Sequence, residues 1–243
     1  MTNEHSSVLI HAQNLNKTCT IGDASINILA NANFKVYSGE YVAMTGMYGR
    51  TRDAFINILG CIHKADTGKY YFDYDDICCA NEGRLGEIRN EKIGFIFPDF
   101  KLIDHLSIIE NVALPQKYAK TSVVVKHNKA KEVLAKLDFR GDIYSKPNET
   151  PDCEKQKAAI ARALVNEPLL LIADEPTYNL DADSAKKIFE IFNNLNKEGT
   201  TITIISSQKE IMNHAHRVLS FSDGALVLDS CNNIHNFKER TVL

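Results

Sequence analysis

Two stretches near the start of the chain, Val8 to Leu15 and Ile26 to Val36, are rich in β-branched and apolar residues and predict strands. Ser38-Gly39 marks a turn, and Tyr41 to Thr45 is a short apolar run that predicts a third strand. Gly46-Met47-Tyr48-Gly49 follows it. After that loop Phe55, Ile56, Ile58, Leu59 and Ile62 recur at helical spacing. The order is strand, glycine-bearing loop, helix. Asp66-Thr67-Gly68 predicts another turn, and Lys69 to Tyr74 another strand.

Ile93 to Phe97 predicts a compact buried strand, and Pro98 breaks the pattern. From Leu102 to Asp142 the periodicity is mainly helical, with Val133, Leu134 and Leu137 marking one helix that should stop near Gly141. Ala158 to Val165 predicts a helix ended by Asn166-Glu167-Pro168. Leu169 to Ala173 is a continuous apolar run, the mark of a strand buried on both faces. Asp183 to Asn194 predicts helix, Thr200 to Ser206 strand and Lys209 to His214 helix. Val218 to Ser222 and Ala225 to Asp229 flank Asp223-Gly224 as a hairpin would. The alternation predicts an α/β fold with a parallel sheet and a helical insertion between roughly residues 100 and 158. Neither an internal repeat nor a low-complexity linker is present.

Composition narrows the function classes. A chain of 243 residues makes one large domain or two small ones. Its 28 basic and 31 acidic residues leave a net charge of −3, without the basic field of a general nucleic-acid binder. Six cysteines show no paired CxxC zinc spacing, and the polar start, Met1 to Ser7, lacks the apolar core of a secretory signal. Reduced, packed thiols are expected. No apolar run reaches the roughly 20 residues of a membrane span, so a membrane role would go through a partner.

The most specific stretch is Ala161-Arg162-Ala163-Leu164-Val165-Asn166-Glu167-Pro168, then a buried strand into Asp174-Glu175-Pro176-Thr177, then Asn179-Leu180-Asp181. It resembles the Walker B and D-loop region of ABC-family ATPases. Phe100 to Pro115 looks like the family's segment after the Q-loop. The resemblance extends from about Val8 to Asp229 and is nearest to cassettes serving lipoprotein release, macrolide export and antimicrobial-peptide resistance. It implies an ABC nucleotide-binding domain over residues 1–243: a RecA-like parallel sheet core, an N-terminal antiparallel β subdomain and a helical subdomain near 100–158. It also implies ATP and Mg²⁺ as cofactors, and a homodimer or heterodimer with another cassette. A membrane permease would dock near Phe97 to Pro115 and hold the chain in the cytoplasm, peripheral to the inner face of the cell membrane. A nucleic-acid partner is not expected.

The residues themselves agree for the retained acids. Asp174 and Glu175 end a buried strand, where ligands of α/β sheets bind. Asp174 there could hold the water shell of Mg²⁺, and Glu175 could orient or deprotonate an attacking water. Two acids could also simply end a strand-to-loop transition. The Pro176-Thr177 and Asn179-Leu180-Asp181 that follow favour the catalytic reading of Glu175 and Asp174.

The phosphate-binding positions have changed. By resemblance the cofactor-binding residues are Gly46, Met47, Tyr48, Gly49, Arg50, Thr51, Arg52, Asp53 and Asp181, with Asp174 and Asp53 at the metal. The family's loop reads G-x-x-G-x-G-K-[ST]. Here Thr51 puts a Cβ where backbone N–H groups approach phosphate. Arg52 keeps the lysine's charge in a planar shape. Asp53 replaces the metal-binding hydroxyl, and a carboxylate about 4 Å from phosphate costs on the order of 4 kcal/mol. At a helix N-terminus, Asp53 would instead fill the anion site itself. The signature L-S-G-G-Q aligns with Thr150-Pro151-Asp152-Cys153-Glu154, where Pro151 lacks an N–H and two acids stand where an anion should dock. Pro98 holds the Q-loop glutamine position, Ser207 the switch-histidine position, and Cys19 lies near the adenine-stacking aromatic. Two functions follow from these expectations: a transporter subunit with weak or absent hydrolysis, or an inactive pseudo-ATPase that scaffolds a permease or a competent cassette. His105, His127, His214 and His216 make no defensible metal spacing, Lys126 to Lys136 reads as a solvated face, and Tyr70-Tyr71-Phe72 as strand packing.

Overall fold

The computed structural model describes residues 7–21, 24–118 and 121–231. The polar opening before Ser7 lies outside the described residues. β1 (Val8–Ile21) and β2 (Ala24–Tyr37) pair antiparallel and run well beyond the predicted strands. They reach that length by slipping register near Asn14 and Asn31, which adopt φ of +47° and +49°. Asparagine tolerates this left-handed geometry, and asparagine side chains meet the freed backbone groups. The Asn14 N–H donates to Asn33 Oδ1 at 2.9 Å, and the Asn31 N–H to Asn16 Oδ1 at 2.8 Å.

β4 (Thr67–Phe72) and β5 (Asp75–Asp76) complete a four-stranded antiparallel sheet in the order β2-β1-β4-β5. β4 starts two residues before the expected Lys69. Asp73 and Tyr74, expected as strand, carry φ of +45° and +68° and turn the chain into β5.

The second sheet has six strands in the order β10-β9-β3-β8-β7-β6. β3 (Tyr41–Thr45), β6 (Ile93–Ile96), β7 (Leu170–Asp174), β8 (Thr201–Ile205) and β9 (Arg217–Ser222) are parallel. β10 (Ala225–Cys231) closes one edge antiparallel through a turn in which Asp223 and Gly224 have φ of +50° and +81°, as a twisted two-residue hairpin requires.

Seven α-helices connect the described strands: α1 (Gly49–Leu59), α2 (Glu82–Glu91), α3 (Ile108–Ala113), α4 (Val123–Lys136), α5 (Asp152–Leu164), α6 (Ala182–Lys197) and α7 (Lys209–Met212). α2 was not expected. Only Leu85 and Ile88 on it are buried, so its apolar signal is thin, and Asn81 starts it by accepting the Arg84 N–H at 2.9 Å. α4 stops at Lys136 rather than near Gly141, because Asp138 takes the left-handed conformation at φ +52°.

Alternate residues of each central strand enter different cores. Val42 and Met44 of β3 join Ile172, Leu219 and Phe221 beneath α1 and the β1-β2 layer. Tyr41 and Ala43 join Leu171, Ile202 and Ile204 beneath α5 and α6. Burial on both faces explains why β7 and β8 read as unbroken apolar runs. The layering leaves the carboxyl ends of β3, β7 and β8 side by side.

Candidate functional site

The loop after β3 keeps its two glycines for a visible reason. Gly46 sits at φ +90°, and a Cβ there would lie 1.8 Å from the Phe221 carbonyl oxygen. Gly49 sits at φ +51° with open space where its side chain would be. Met47 is buried between them, whereas Tyr48 is 65% exposed. α1 begins at Gly49, earlier than expected, and its start is closed by Thr51. The Thr51 hydroxyl donates to the Tyr48 carbonyl at 2.6 Å and accepts the Tyr48 N–H at 3.2 Å. Asp53 lies four residues into α1 and is exposed, and its side chain makes no hydrogen bond among the described residues. The expectation that Asp53 would occupy the helix start is therefore corrected: Thr51 makes the contacts that close it.

Arg52 points the other way, across the end of the sheet. Its Nε stands 3.1 Å from Asp174 Oδ1, and its Nη1 3.4 Å from Glu175 Oε1. The first contact is ionic without hydrogen-bond alignment: Arg52 Nε and Asp174 Oδ1 are both buried and lack a hydrogen-bond partner. Burial pushes the Asp174 carboxyl up to about 6; Arg52 opposes that, while Asp53, Glu175 and Asp99 add to it.

Glu175 is held far more fully. Its Oε2 accepts the Ser206 hydroxyl at 2.6 Å, and its Oε1 accepts both the N–H and the hydroxyl of Ser207 at 2.9 Å. The Glu175 backbone has φ of +39°, a strained value for a residue with a side chain. Its N–H donates to the Ile205 carbonyl at 3.0 Å, which pins the strained residue to β8. Ser206 was missed in the sequence. The signal was the Ser206-Ser207 pair directly after a buried strand.

The remaining positions are spread around this centre. Asp181 caps α6, accepting the Ser184 N–H at 2.9 Å and its hydroxyl at 2.8 Å, and these bonds lower its carboxyl below the usual range. Asn179 donates its side-chain amide to the Pro98 carbonyl at 2.8 Å, tying together the segments after β7 and β6. At the start of α5, Thr150 is buried and donates to the Lys146 carbonyl at 3.0 Å. Asp152 pairs with Lys155 at 2.9 Å and Glu154 with Lys157 at 2.8 Å, while Glu154 also accepts the Arg140 N–H at 2.7 Å. These acids are bound within their own helix and its neighbourhood. Arg50 and Tyr178 are exposed beside the site.

No disulfide joins the six cysteines, of which Cys61 is buried, Cys79 is exposed and the other four are half-buried, so packing is less complete than expected. Tyr70 and Phe72 are core residues, and the Tyr70 hydroxyl donates to the Leu59 carbonyl at 2.7 Å. His214 stacks on Phe189 at 4.4 Å. Among the described residues, no three His, Cys, Asp or Glu side chains gather as a metal-binding group, and no helix is long and apolar enough to cross a membrane.

Comparison with known proteins gives a consistent match. A family model described as "ABC transporter" matches residues 29–178. The ABC transporter ATP-binding protein YvrO of Bacillus subtilis is 37% identical over 221 residues, 91% of this chain and 96% of YvrO. The macrolide export ATP-binding/permease protein MacB of Escherichia coli is 33% identical over 222 residues, which are 91% of this chain but 34% of MacB. A solved dimer of the ATP-binding cassette MJ0796, bound to ADP and Pi, superposes with a TM-score of 0.84 at 30% identity, covering 94% of this chain and 100% of that one.

Proposed function

The chain belongs to the ABC transporter family of ATP-binding cassettes, and from that premise we propose that it is a transporter cassette in which ATP hydrolysis is weak or absent. The observation that carries the reading is Arg52, placed against both Asp174 and Glu175. Magnesium requires oxygen ligands in near-octahedral geometry. Here a guanidinium nitrogen stands 3.1 Å from Oδ1 of Asp174, the carboxylate that would help hold the ion. Pro98, at the position of the family's glutamine, offers no side-chain oxygen. This arrangement does not fit the metal. The phosphate loop is also altered: Thr51 uses its hydroxyl to close the start of α1.

What remains is binding and transmission. A groove of about 870 Å³ opens between α2, β6 and the segment after α3, lined by Phe95, Phe97, Leu114, Pro115 and Tyr118 among others. It includes the ends of the segment expected to meet a permease. We assign it to a cytoplasmic element of that permease, which would hold the chain at the inner face of the cell membrane. The name MacB describes a cassette and a permease in one protein, and this chain matches about a third of it. We treat residues 1–243 as one cassette with its helical subdomain near 100–158.

The cassette pairs with itself or with another cassette. Pairing with an intact cassette would not restore normal turnover. One composite site would contain this phosphate loop, and the other this signature.

A second reading, an inactive pseudo-ATPase that scaffolds a permease or competent cassette, is favoured by the same Arg52 contact. Steady-state phosphate release by the purified chain with Mg-ATP tests both. Turnover far below an ordinary cassette is expected. Robust turnover that disappears in Glu175→Gln would overturn both readings.

A further inference from the structure

We propose that Arg52 is the resident cation of this site, offsetting part of the charge of the Asp174–Glu175 pair where a divalent ion is expected and latching α1 to the ends of β7 and β8 without nucleotide. The proposal deepens the reading above and rests on it. Three separate chain segments meet at these atoms. Arg52 comes from the first turns of α1, Asp174 and Glu175 from the end of β7, and Ser206 and Ser207 from the end of β8. The contacts are sheltered: the side chains of Arg52, Asp174 and Glu175 are 24%, 9% and 4% exposed.

The charges within the cluster are one cation and two carboxylates. The serines satisfy Glu175 without bringing positive charge. Arg52 is thus the only cation that the described ion pairs bring to Asp174 and Glu175. Removing a partner from a sheltered ion cluster leaves uncompensated charge, which is destabilising. The two carboxylates should then seek a cation from solution. Asp174 Oδ1, buried and without a hydrogen bond, is the atom best prepared to take one.

The test is thermal unfolding of the full chain without nucleotide, with EDTA or with millimolar MgCl₂ at matched ionic strength. The wild-type midpoint should not respond to Mg²⁺. Arg52→Ala should melt about 5 °C lower in EDTA and recover most of that loss in Mg²⁺. Adding Asp174→Asn to Arg52→Ala should abolish the Mg²⁺ response. Arg52→Lys, which keeps the charge but cannot reach both acids as a fork, should fall between wild type and Arg52→Ala. It provides the readout if Arg52→Ala does not fold. The proposal is overturned if Mg²⁺ raises wild type as much as the variants. It is equally overturned if the loss in Arg52→Ala is untouched by Mg²⁺, or if neither Arg52 variant loses stability. Low turnover with no Mg²⁺ rescue would sink the latch alone; robust turnover would sink the functional reading.

Discussion

The parallel sheet carries an arginine between two carboxylates at each of its ends, and the two clusters are built differently. At the amino end, Arg217 opens β9. Its Nε and Nη2 each meet an oxygen of Asp229 at 2.6 Å, and its Nη1 reaches Glu40 at 3.2 Å and the Lys35 carbonyl at 3.1 Å. Glu40 also accepts the Tyr37 N–H at 2.9 Å. Burial raises the Glu40 carboxyl, against the pull of that N–H and of Arg217. At the carboxyl end, Arg52 meets Asp174 at 3.1 Å without alignment and Glu175 at 3.4 Å. The first cluster is a bidentate pair with its geometry satisfied, fit for structure. The second is held by charge and proximity.

Substitutions at the two clusters test that contrast. Arg217→Met should have the largest effect, about 3–5 kcal/mol in urea unfolding, because Glu40 and Asp229 would be left in sheltered positions without their cation. Arg52→Met should lose less, about 1–3 kcal/mol, since its contacts are longer and its side chain is more exposed. Equal losses for the two would erase the distinction. Ser207→Ala should cost about 0.5–1.5 kcal/mol in the same assay, removing one of three short bonds to Glu175 while leaving the backbone N–H in place. Asp53→Ser should change stability by no more than about 0.5 kcal/mol, because the Asp53 side chain is exposed and makes no hydrogen bond among the described residues. A large loss there would mean that Asp53 does hold the start of α1 after all.

The elements with strong periodicity were legible in the chain itself. β3, β7, β8 and the β9-β10 hairpin lie within a residue or two of their expected bounds, because burial on both faces or a two-residue turn leaves a clear local signal. α2 was invisible, with two buried residues in ten. The length of β1 and β2 was hidden too, since it depends on asparagines bridging slipped registers across separate strands. At the site, the Asp174-Glu175 pair and the changed loop could be read from sequence order alone. That Thr51 closes the start of α1, that Arg52 crosses to β7, and that Ser207 binds Glu175 could not. Those contacts join residues up to 123 positions apart, and side-chain direction decides them. Sequence reading gave Arg52 a charge; the fold gave that charge an internal partner.

The proposed reading is that the chain's own residues occupy this site and weaken Mg-ATP binding. Isothermal calorimetry of Mg-ATP, titrated into the wild-type chain and into the combined variant Thr51→Gly, Arg52→Lys, Asp53→Ser, tests it most directly. The expected result is much weaker binding by wild type than by the variant with the three positions restored. Micromolar binding by wild type, unchanged in the variant, would contradict it.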